Sequence, residues 1–261
     1  MEHLDRAGYG RGQRHPRFQK ALEILIGDRE REPPQEQFPQ QPTHFFYPDM
    51  PYVTFVNSER IAWKDALEAS YPAIKEEVLQ LLETDRAGFQ PYIRSAHGNF
   101  AQGDVMGLRD NHSWTSFFLW EKGAAVAANV DRCPTLFKTL LDSAPLCHVG
   151  ERSPTVFLSM LRPGAHIQPH TGQLNFRYIA HLPLIIPAGC GPRVGDEVRN
   201  WREGELVMFD DTVEHEAWNK GDSDRLVLLF DVWRPEITEE EQKQIVTLFE
   251  AVDQYFAQSQ H

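Results

Sequence analysis

The spacing of apolar residues predicts four helical regions. Apolar side chains recur every three or four residues over 63–84, as on one face of one or two helices. Pro134 stands where a first helical turn needs no N–H donor. Thr238 is followed three residues later by Glu241, the sequence of a capping box. The four predicted regions are 18–26, 63–84, 133–141 and 238–254.

Short apolar and aromatic runs predict β-strands, and most of them follow residue 150. The runs are rich in Val, Ile, Leu and Phe and are separated by Gly- and Pro-containing turns. Regular spacing of this kind predicts a mainly β domain of sandwich or jelly-roll type with flanking helices. The predicted strands are 113–120, 155–161, 174–186, 205–209 and 225–233.

One predicted strand has polar residues where a buried face should be apolar. A strand alternates its side chains between two faces, so Asn175, Arg177, Ile179 and His181 share one face. The opposite face is apolar. This pattern predicts a strand that lines a pocket, with Arg177 available to bind a carboxylate.

The first 44 residues differ in amino-acid composition from the rest of the chain. They form a polar segment with one short predicted helix and a proline-rich linker over 28–44. We therefore predict an N-terminal segment of residues 1–44 and a main domain of residues 45–261.

Charge and composition narrow the class of protein. The formal charge is -12, with 26 basic and 38 acidic residues, which argues against a nucleic-acid partner. No apolar run is long enough to cross a membrane, and the first residues do not resemble a signal peptide. Three widely spaced cysteines do not suggest disulfides. These features predict a cytoplasmic protein without a membrane partner.

Two histidines are candidates for a metal site. His170 and His215 lie 45 residues apart, far enough for intervening strands to bring both rings to one end of a barrel. Imidazole is a good ligand for iron(II). A facial triad would add a carboxylate two residues after the first histidine, but Gly172 stands there. His166 is a weaker candidate, predicted to be structural. His97, His112 and His148 show no such pattern and are predicted to be solvated.

Arg225 is a candidate anion-binding residue. It begins an apolar strand ten residues after His215, and its guanidinium matches a carboxylate in geometry. We predict that it holds the distal carboxylate of 2-oxoglutarate. The alternative is a surface ion pair with Asp222 or Asp224. Asp210 and Asp211 are predicted to brace a turn.

A series of motifs in order resembles the aspartyl/asparaginyl β-hydroxylase family, which comprises Fe(II)/2-oxoglutarate-dependent oxygenases. The resemblance covers roughly residues 50–240. The motifs are His-Thr-Gly at 170–172, His-Leu-Pro-Leu at 181–184, Arg-Val-Gly at 193–195, Phe-Asp-Asp-Thr at 209–212, Glu-His-Glu-Ala-Trp-Asn at 214–219 and Trp-Arg-Pro at 233–235.

The resemblance implies a double-stranded β-helix, related to cupins and jelly rolls, that uses Fe(II), 2-oxoglutarate and O2. It implies that His170 and His215 bind the metal, that Ser159 and Arg225 bind 2-oxoglutarate, and that His181 lies nearby. Arg177 matches a position that grips the carboxylate of the substrate.

The predicted function is hydroxylation of an Asp- or Asn-like carbon in an amino acid, a peptide or a carboxylate-bearing small molecule. Because Gly172 leaves a ligand position open, a halogenase of the same fold is an alternative. The second alternative function is that of a non-catalytic jelly-roll binding module.

Overall fold

Seven α-helices in the described residues flank the β-structure. A computed structural model describes residues 2–94 and 107–258, so His97 lies outside the described residues. All four predicted helical regions are confirmed, and residues 63–84 form two helices rather than one. The helices are α1 (Glu2–Arg6), α2 (Pro16–Leu25), α3 (Lys64–Ala69), α4 (Tyr71–Asp85), α5 (Ala127–Val130), α6 (Pro134–Ser143) and α7 (Glu239–Gln258).

Eleven strands of the described chain form two antiparallel sheets. The larger sheet has the order β1-β2-β4-β11-β6-β9, with β3 beside β2, and the smaller has the order β5-β10-β7-β8. The strands are β1 (Gln90–Pro91), β2 (Trp114–Glu121), β3 (Ala124–Ala125), β4 (Val156–Leu161), β5 (His166–His170), β6 (Arg177–Ile185), β7 (Cys190–Val194), β8 (Glu197–Val198), β9 (Val207–Phe209), β10 (His215–Asn219) and β11 (Arg225–Trp233).

The order of the strands defines the fold. From β4 onward the chain alternates between the sheets: β4, β6, β9 and β11 belong to the larger sheet, and β5, β7, β8 and β10 to the smaller. Such winding around a common axis makes a double-stranded β-helix, a jelly-roll variant. The predicted fold class, mainly β with flanking helices, is confirmed.

The outer face of the larger sheet is apolar and covered by helices. On β11 this face carries Leu226, Leu228, Phe230 and Val232, all buried. They belong to one cluster with apolar residues of α3, α4 and α6. Burial of apolar area on this scale is the main source of stability in a fold of this kind.

The inner face of the same sheet carries polar and charged residues among the apolar ones. On β11 this face presents Arg225, Val227, Leu229 and Asp231, because alternate residues of a strand point to opposite sides. The register pairs Ser159 of β4 with Val227. This side of the sheet therefore holds the side chains that can bind ligands or take part in catalysis.

The N-terminal residues share a core with the barrel. Phe18 and Leu22 of α2 are buried with Phe45 and with Ile245 of α7. Glu241 accepts hydrogen bonds from the backbone N–H and the hydroxyl of Thr238, which confirms the predicted capping box. Helix α2 thus packs on the domain that follows it.

Several smaller expectations can be compared with the structure. Cys133, Cys147 and Cys190 are buried free thiols. His112 and His148 are exposed, as predicted. No helix in the described residues has the length and apolar character needed to cross a membrane.

Candidate metal and cosubstrate site

The two candidate metal ligands lie side by side. His170 ends β5 and His215 begins β10, and the antiparallel register pairs them directly. Their ring centroids are 4.1 Å apart. A β-bulge follows His215, between it and Ala217. Such bulges redirect side chains at barrel rims and next to active sites.

Both imidazoles are held in the tautomer that suits a metal ligand. The Nδ1 of His170 lies 2.8 Å from the backbone oxygen of Gln168, and the Nδ1 of His215 lies 3.1 Å from that of Val213. Because Nδ1–H donates in each case, Nε2 keeps its lone pair. Burial lowers the pKa of both histidines, well below the ordinary value for His215. The rings are therefore neutral, as metal binding requires.

A third protein ligand is missing from the described residues. In 2–94 and 107–258, no group of three His, Cys, Asp or Glu side chains is arranged to hold a metal ion. A Cβ atom built on Gly172 would overlap the carboxylate of Asp211. A side chain at position 172 would therefore have to displace the carboxylate of Asp211.

Among the described residues, Arg225 is a buried cation without an anionic partner. Only 1% of its surface is exposed. Its Nη1 donates to the backbone oxygen of Ser159 at 3.3 Å and to the Ser159 hydroxyl at 3.4 Å, while its Nε has no hydrogen-bond partner. Burial lowers its pKa to about 10. The alternative of a surface ion pair is wrong, because Arg225 is buried and Asp224 pairs with Arg86 instead.

His181 and two tryptophans complete this part of the site. Neither ring nitrogen of His181 has a hydrogen-bond partner, and burial lowers its pKa to about 3. The Trp201 ring lies 5.7 Å from His181 and 4.9 Å from the guanidinium of Arg225. Trp114 donates its indole N–H to the Ser159 hydroxyl at 3.1 Å. Aromatic walls therefore surround unsatisfied polar groups.

Phe209 connects the metal-ligand pair with the cationic pocket. Its ring centroid lies 5.4 Å from that of His215 and 5.0 Å from that of His181. The structure thus brings His170, His215, His181 and Arg225 to one interior region.

Arg177 lies elsewhere on the same inner face, in a different setting. It donates to Asp231 at 2.9 Å and to Asp211 at 3.2 Å. Burial alone would lower the pKa of Arg177, but the two carboxylates raise it. Burial raises the pKa of Asp211 to about 7, although Arg177 opposes the shift. The guanidinium is already engaged by carboxylates of its own chain.

Two other predictions concern the surroundings of the site. His166 is bonded to Glu216 at 2.6 Å, which confirms its structural interpretation. Asp210 accepts bonds from the backbone N–H and the hydroxyl of Thr212, so it braces a turn as predicted. Asn175 lies just before β6 rather than in it.

Sequence reasoning gave Trp114 and Trp201 no role in the pocket, and it predicted that Asp211 braces a turn, whereas the Asp211 carboxylate bonds to Arg177. Trp114 lies in a predicted strand and is buried, but its indole N–H reaches Ser159. No spacing rule identifies such residues, because they come from separate strands and loops. An aromatic residue in a strand is far more often part of a core.

These features define a double-stranded β-helix protein with a two-histidine candidate metal site beside a cationic pocket. A model of the family described as aspartyl/asparaginyl beta-hydroxylase matches residues 68–235 of this chain. The chain therefore belongs to the aspartyl/asparaginyl β-hydroxylase family.

Individual proteins show the same relationship. The chain is 33% identical over 183 residues to the aspartyl/asparaginyl beta-hydroxylase of Homo sapiens, covering 69% of this chain and 22% of that protein. It is 31% identical over 178 residues to the ornithine lipid ester-linked acyl 2-hydroxylase of Rhizobium tropici, covering 66% of this chain and 58% of that protein. The match thus spans only part of the length of either relative.

Among solved structures, a cupin domain of an XRE-family transcriptional regulator from Enterobacter cloacae matches with a TM-score of 0.27 and 16% identity. That match covers 31% of this chain and 82% of the other. A TM-score of 0.27 is too low to support a fold assignment, so the double-stranded β-helix is assigned from the strand order alone.

Proposed function

We propose that this protein is an Fe(II)/2-oxoglutarate-dependent dioxygenase that hydroxylates an Asp- or Asn-like carbon. The observation that carries the proposal is the position of a neutral imidazole pair near a buried guanidinium that has no anionic partner in the part of the chain that the structure describes. A buried cation of this kind is costly unless an anion compensates it. The dicarboxylate 2-oxoglutarate supplies such an anion.

The two histidines suit a ferrous ion. Both lie on neighbouring strands with Nδ1 bonded to a backbone oxygen, which leaves the lone pair on Nε2, and imidazole is among the ligands that iron(II) prefers. A site with two protein ligands leaves positions open for a chelating 2-oxo acid and for dioxygen. When bound, iron, 2-oxoglutarate and O2 supply the oxidation that replaces a C–H bond with C–OH and yields succinate and carbon dioxide.

The protein's own residues bind and orient the reactants. Arg225 and the hydroxyl of Ser159 bind the distal carboxylate of 2-oxoglutarate. His181 stays neutral beside them, because burial keeps its pKa at about 3. Trp201 and Trp114 exclude water and so strengthen the charge interaction with Arg225. Holding the reacting carbon of the substrate in the right position beside the metal site is the main contribution that a protein makes to such chemistry.

The substrate is proposed to be an amino acid, a peptide or a carboxylate-bearing small molecule that reaches Arg177. The pairing of this residue constrains how a substrate carboxylate binds. Asp231 is fixed by Arg177, Ser153 and Thr155. Asp211 contacts Arg177 at 3.2 Å, and its Oδ1 has no partner. A substrate carboxylate therefore displaces Asp211 rather than Asp231.

We favour hydroxylation over halogenation. Halogenation requires a chloride ion in the position beside Gly172. Before substrate binds, the carboxyl group of Asp211 lies against that glycine, and its volume opposes the entry of chloride there. The binding module remains the alternative that the turnover measurement below decides, since both it and the dioxygenase would place an anion beside Arg225.

The test is turnover of 2-oxoglutarate by the purified protein with iron(II), ascorbate and a panel of amino acids and peptides. We expect succinate release and a product heavier by one oxygen in chloride buffer. His215→Ala abolishes both, whereas His148→Ala, at an exposed histidine, leaves them unchanged. A chlorinated product supports the halogenase, and tight 2-oxoglutarate binding without succinate supports the binding module.

A further inference from the structure

A short N-terminal segment crosses both chain segments that carry the candidate ligands. We call residues 40–45 the strap. The backbone N–H of Gln41 donates to the oxygen of Thr212 at 2.7 Å, and that of Thr43 donates to the oxygen of Gly172 at 3.0 Å. The N–H of Phe45 donates to the oxygen of Gln173 at 3.1 Å. The strap therefore bonds to two separate parts of the barrel.

The side chain of Gln40 makes the most central of these contacts. Its exposed fraction is 8%. Its Nε2 donates to Asp210 at 2.6 Å and to the backbone oxygen of Pro51 at 3.3 Å, and its Oε1 accepts from Asn175 at 3.1 Å. The Nε2 and the Oε1 of this amide thus both have protein partners, and two of those partners, Asp210 and Asn175, are buried.

The bonded segments flank the two histidines. Gly172 and Gln173 come two and three residues after His170, and Asp210 and Thr212 come five and three residues before His215. The strap ties these segments together from outside the sheet, in addition to the bond from the Gly172 N–H to the Asp211 oxygen at 2.6 Å.

Asp210 transmits the contact from Gln40 to the turn before His215. The same carboxylate accepts from Arg234 at 2.8 Å and from the backbone N–H of Thr212 at 3.0 Å. Arg234 and Asp210 are both completely buried. Since every partner is fixed, a change at Gln40 shifts this turn rather than relaxing into solvent.

The number of protein ligands makes this restraint important. With three ligands, the third side chain helps to fix the other two, but within 2–94 and 107–258 only His170 and His215 are available. Their separation must be set by the backbone, and residues that orient ligands affect metal affinity strongly.

We propose that Gln40 is a positioning residue for the metal site, acting through Asp210 on His215 and through Asn175 on the segment after His170. The inference rests on the proposed metal binding by the two histidines, but not on any particular substrate.

The test is titration of the full-length protein with cobalt(II), followed by visible absorption and calorimetry. Gln40→Leu keeps the volume and removes the hydrogen bonds. We expect a dissociation constant about 10- to 100-fold higher and a changed ligand-field spectrum. The matched control is Gln41→Leu, because Gln41 is the exposed neighbour and contributes only backbone bonds. It should behave as wild type.

A second variant and a folding measurement guard against simple loss of folding. Gln40→Glu keeps the size of the side chain but sets a carboxylate against Asp210 and the Pro51 oxygen, so it should weaken cobalt binding as well, and urea unfolding shows whether each variant is folded. Wild-type affinity and spectrum in folded Gln40→Leu or in folded Gln40→Glu overturns the inference. If the wild-type protein binds no cobalt(II), it is the proposed metal site that fails.

Discussion

Two buried arginines on one face of the larger sheet have opposite surroundings. Arg225 is 1% exposed and has no carboxylate partner in the part of the chain that the structure describes. Arg177 is 7% exposed and binds Asp211 and Asp231. The two residues lie on adjacent strands, so the difference comes from their neighbours and not from the architecture.

The difference distinguishes a binding residue from a residue that also holds the fold together. A buried cation that the chain leaves uncompensated weakens the fold, and a protein tolerates this where a ligand supplies the counter-charge. A cation between two carboxylates relieves their burial and stabilises the fold. Substitution of Arg177 should therefore lower the stability of the fold, whereas substitution of Arg225 should weaken ligand binding without lowering the stability.

Arg177→Met should give the largest effect on stability. It leaves Asp211 and Asp231 buried without their cation, which costs about 3–5 kcal/mol in the free energy of unfolding. Urea unfolding measures the loss, with Arg162→Met at an exposed arginine as the control. A loss below about 1 kcal/mol is the size expected of a surface pair and would contradict the structural role.

Arg225→Met should leave the free energy of unfolding unchanged or raise it, because it removes an uncompensated charge. The same substitution should weaken 2-oxoglutarate binding by about 2–5 kcal/mol, at least thirtyfold in the dissociation constant. Calorimetric titration with manganese(II) in place of iron measures this value. Strong destabilisation with unchanged binding would reverse the roles of the two arginines.

Glu241 is a buried carboxylate that binds Arg17 of the N-terminal helix α2. Burial alone would raise its pKa, but bonds from Arg17, Thr238 and Tyr47 lower the pKa to about 2. Because the folded-state pKa is depressed, the stabilisation is present above pH 4.5 and is lost as the pH falls towards 2. The shift corresponds to about 3 kcal/mol.

Glu241→Gln should therefore lower the free energy of unfolding by about that amount at pH 6, and the difference from wild type should shrink between pH 4.5 and 2. Urea unfolding at several pH values checks this, with the exposed Glu239→Gln as control. A difference independent of pH would show that lost packing, and not charge, is responsible.

Regular patterns made much of the fold predictable. Five strands of the larger sheet, β2, β4, β6, β9 and β11, were predicted because apolar runs mark strands that are buried on both faces. The two-residue strands β1, β3 and β8 were not predicted, nor were β5, β7 and β10. They are short, mixed in polarity and partly exposed, as in the segment His-Ile-Gln-Pro-His of β5. Such segments have no periodicity that separates them from loops.

The site was predictable only in part, for a related reason. Motif order pointed to His170, His215 and Arg225, and the structure brings these residues together. The two carboxylates around Arg177 were not foreseen, because Asp231 follows an apolar run and Asp211 lies in a turn. Contacts of the strap use mainly backbone groups and leave no trace in the sequence.

The most direct test is an anaerobic titration of the iron(II)-loaded protein with 2-oxoglutarate, followed by visible absorption. Chelation of the 2-oxo acid by ferrous iron produces a charge-transfer band. We expect the band in wild type, its loss in His170→Ala and His215→Ala, and its appearance only at much higher 2-oxoglutarate concentration in Arg225→Met. A wild-type protein that binds iron(II) and 2-oxoglutarate without the band, or a His215→Ala variant that retains it, would contradict the two-histidine site.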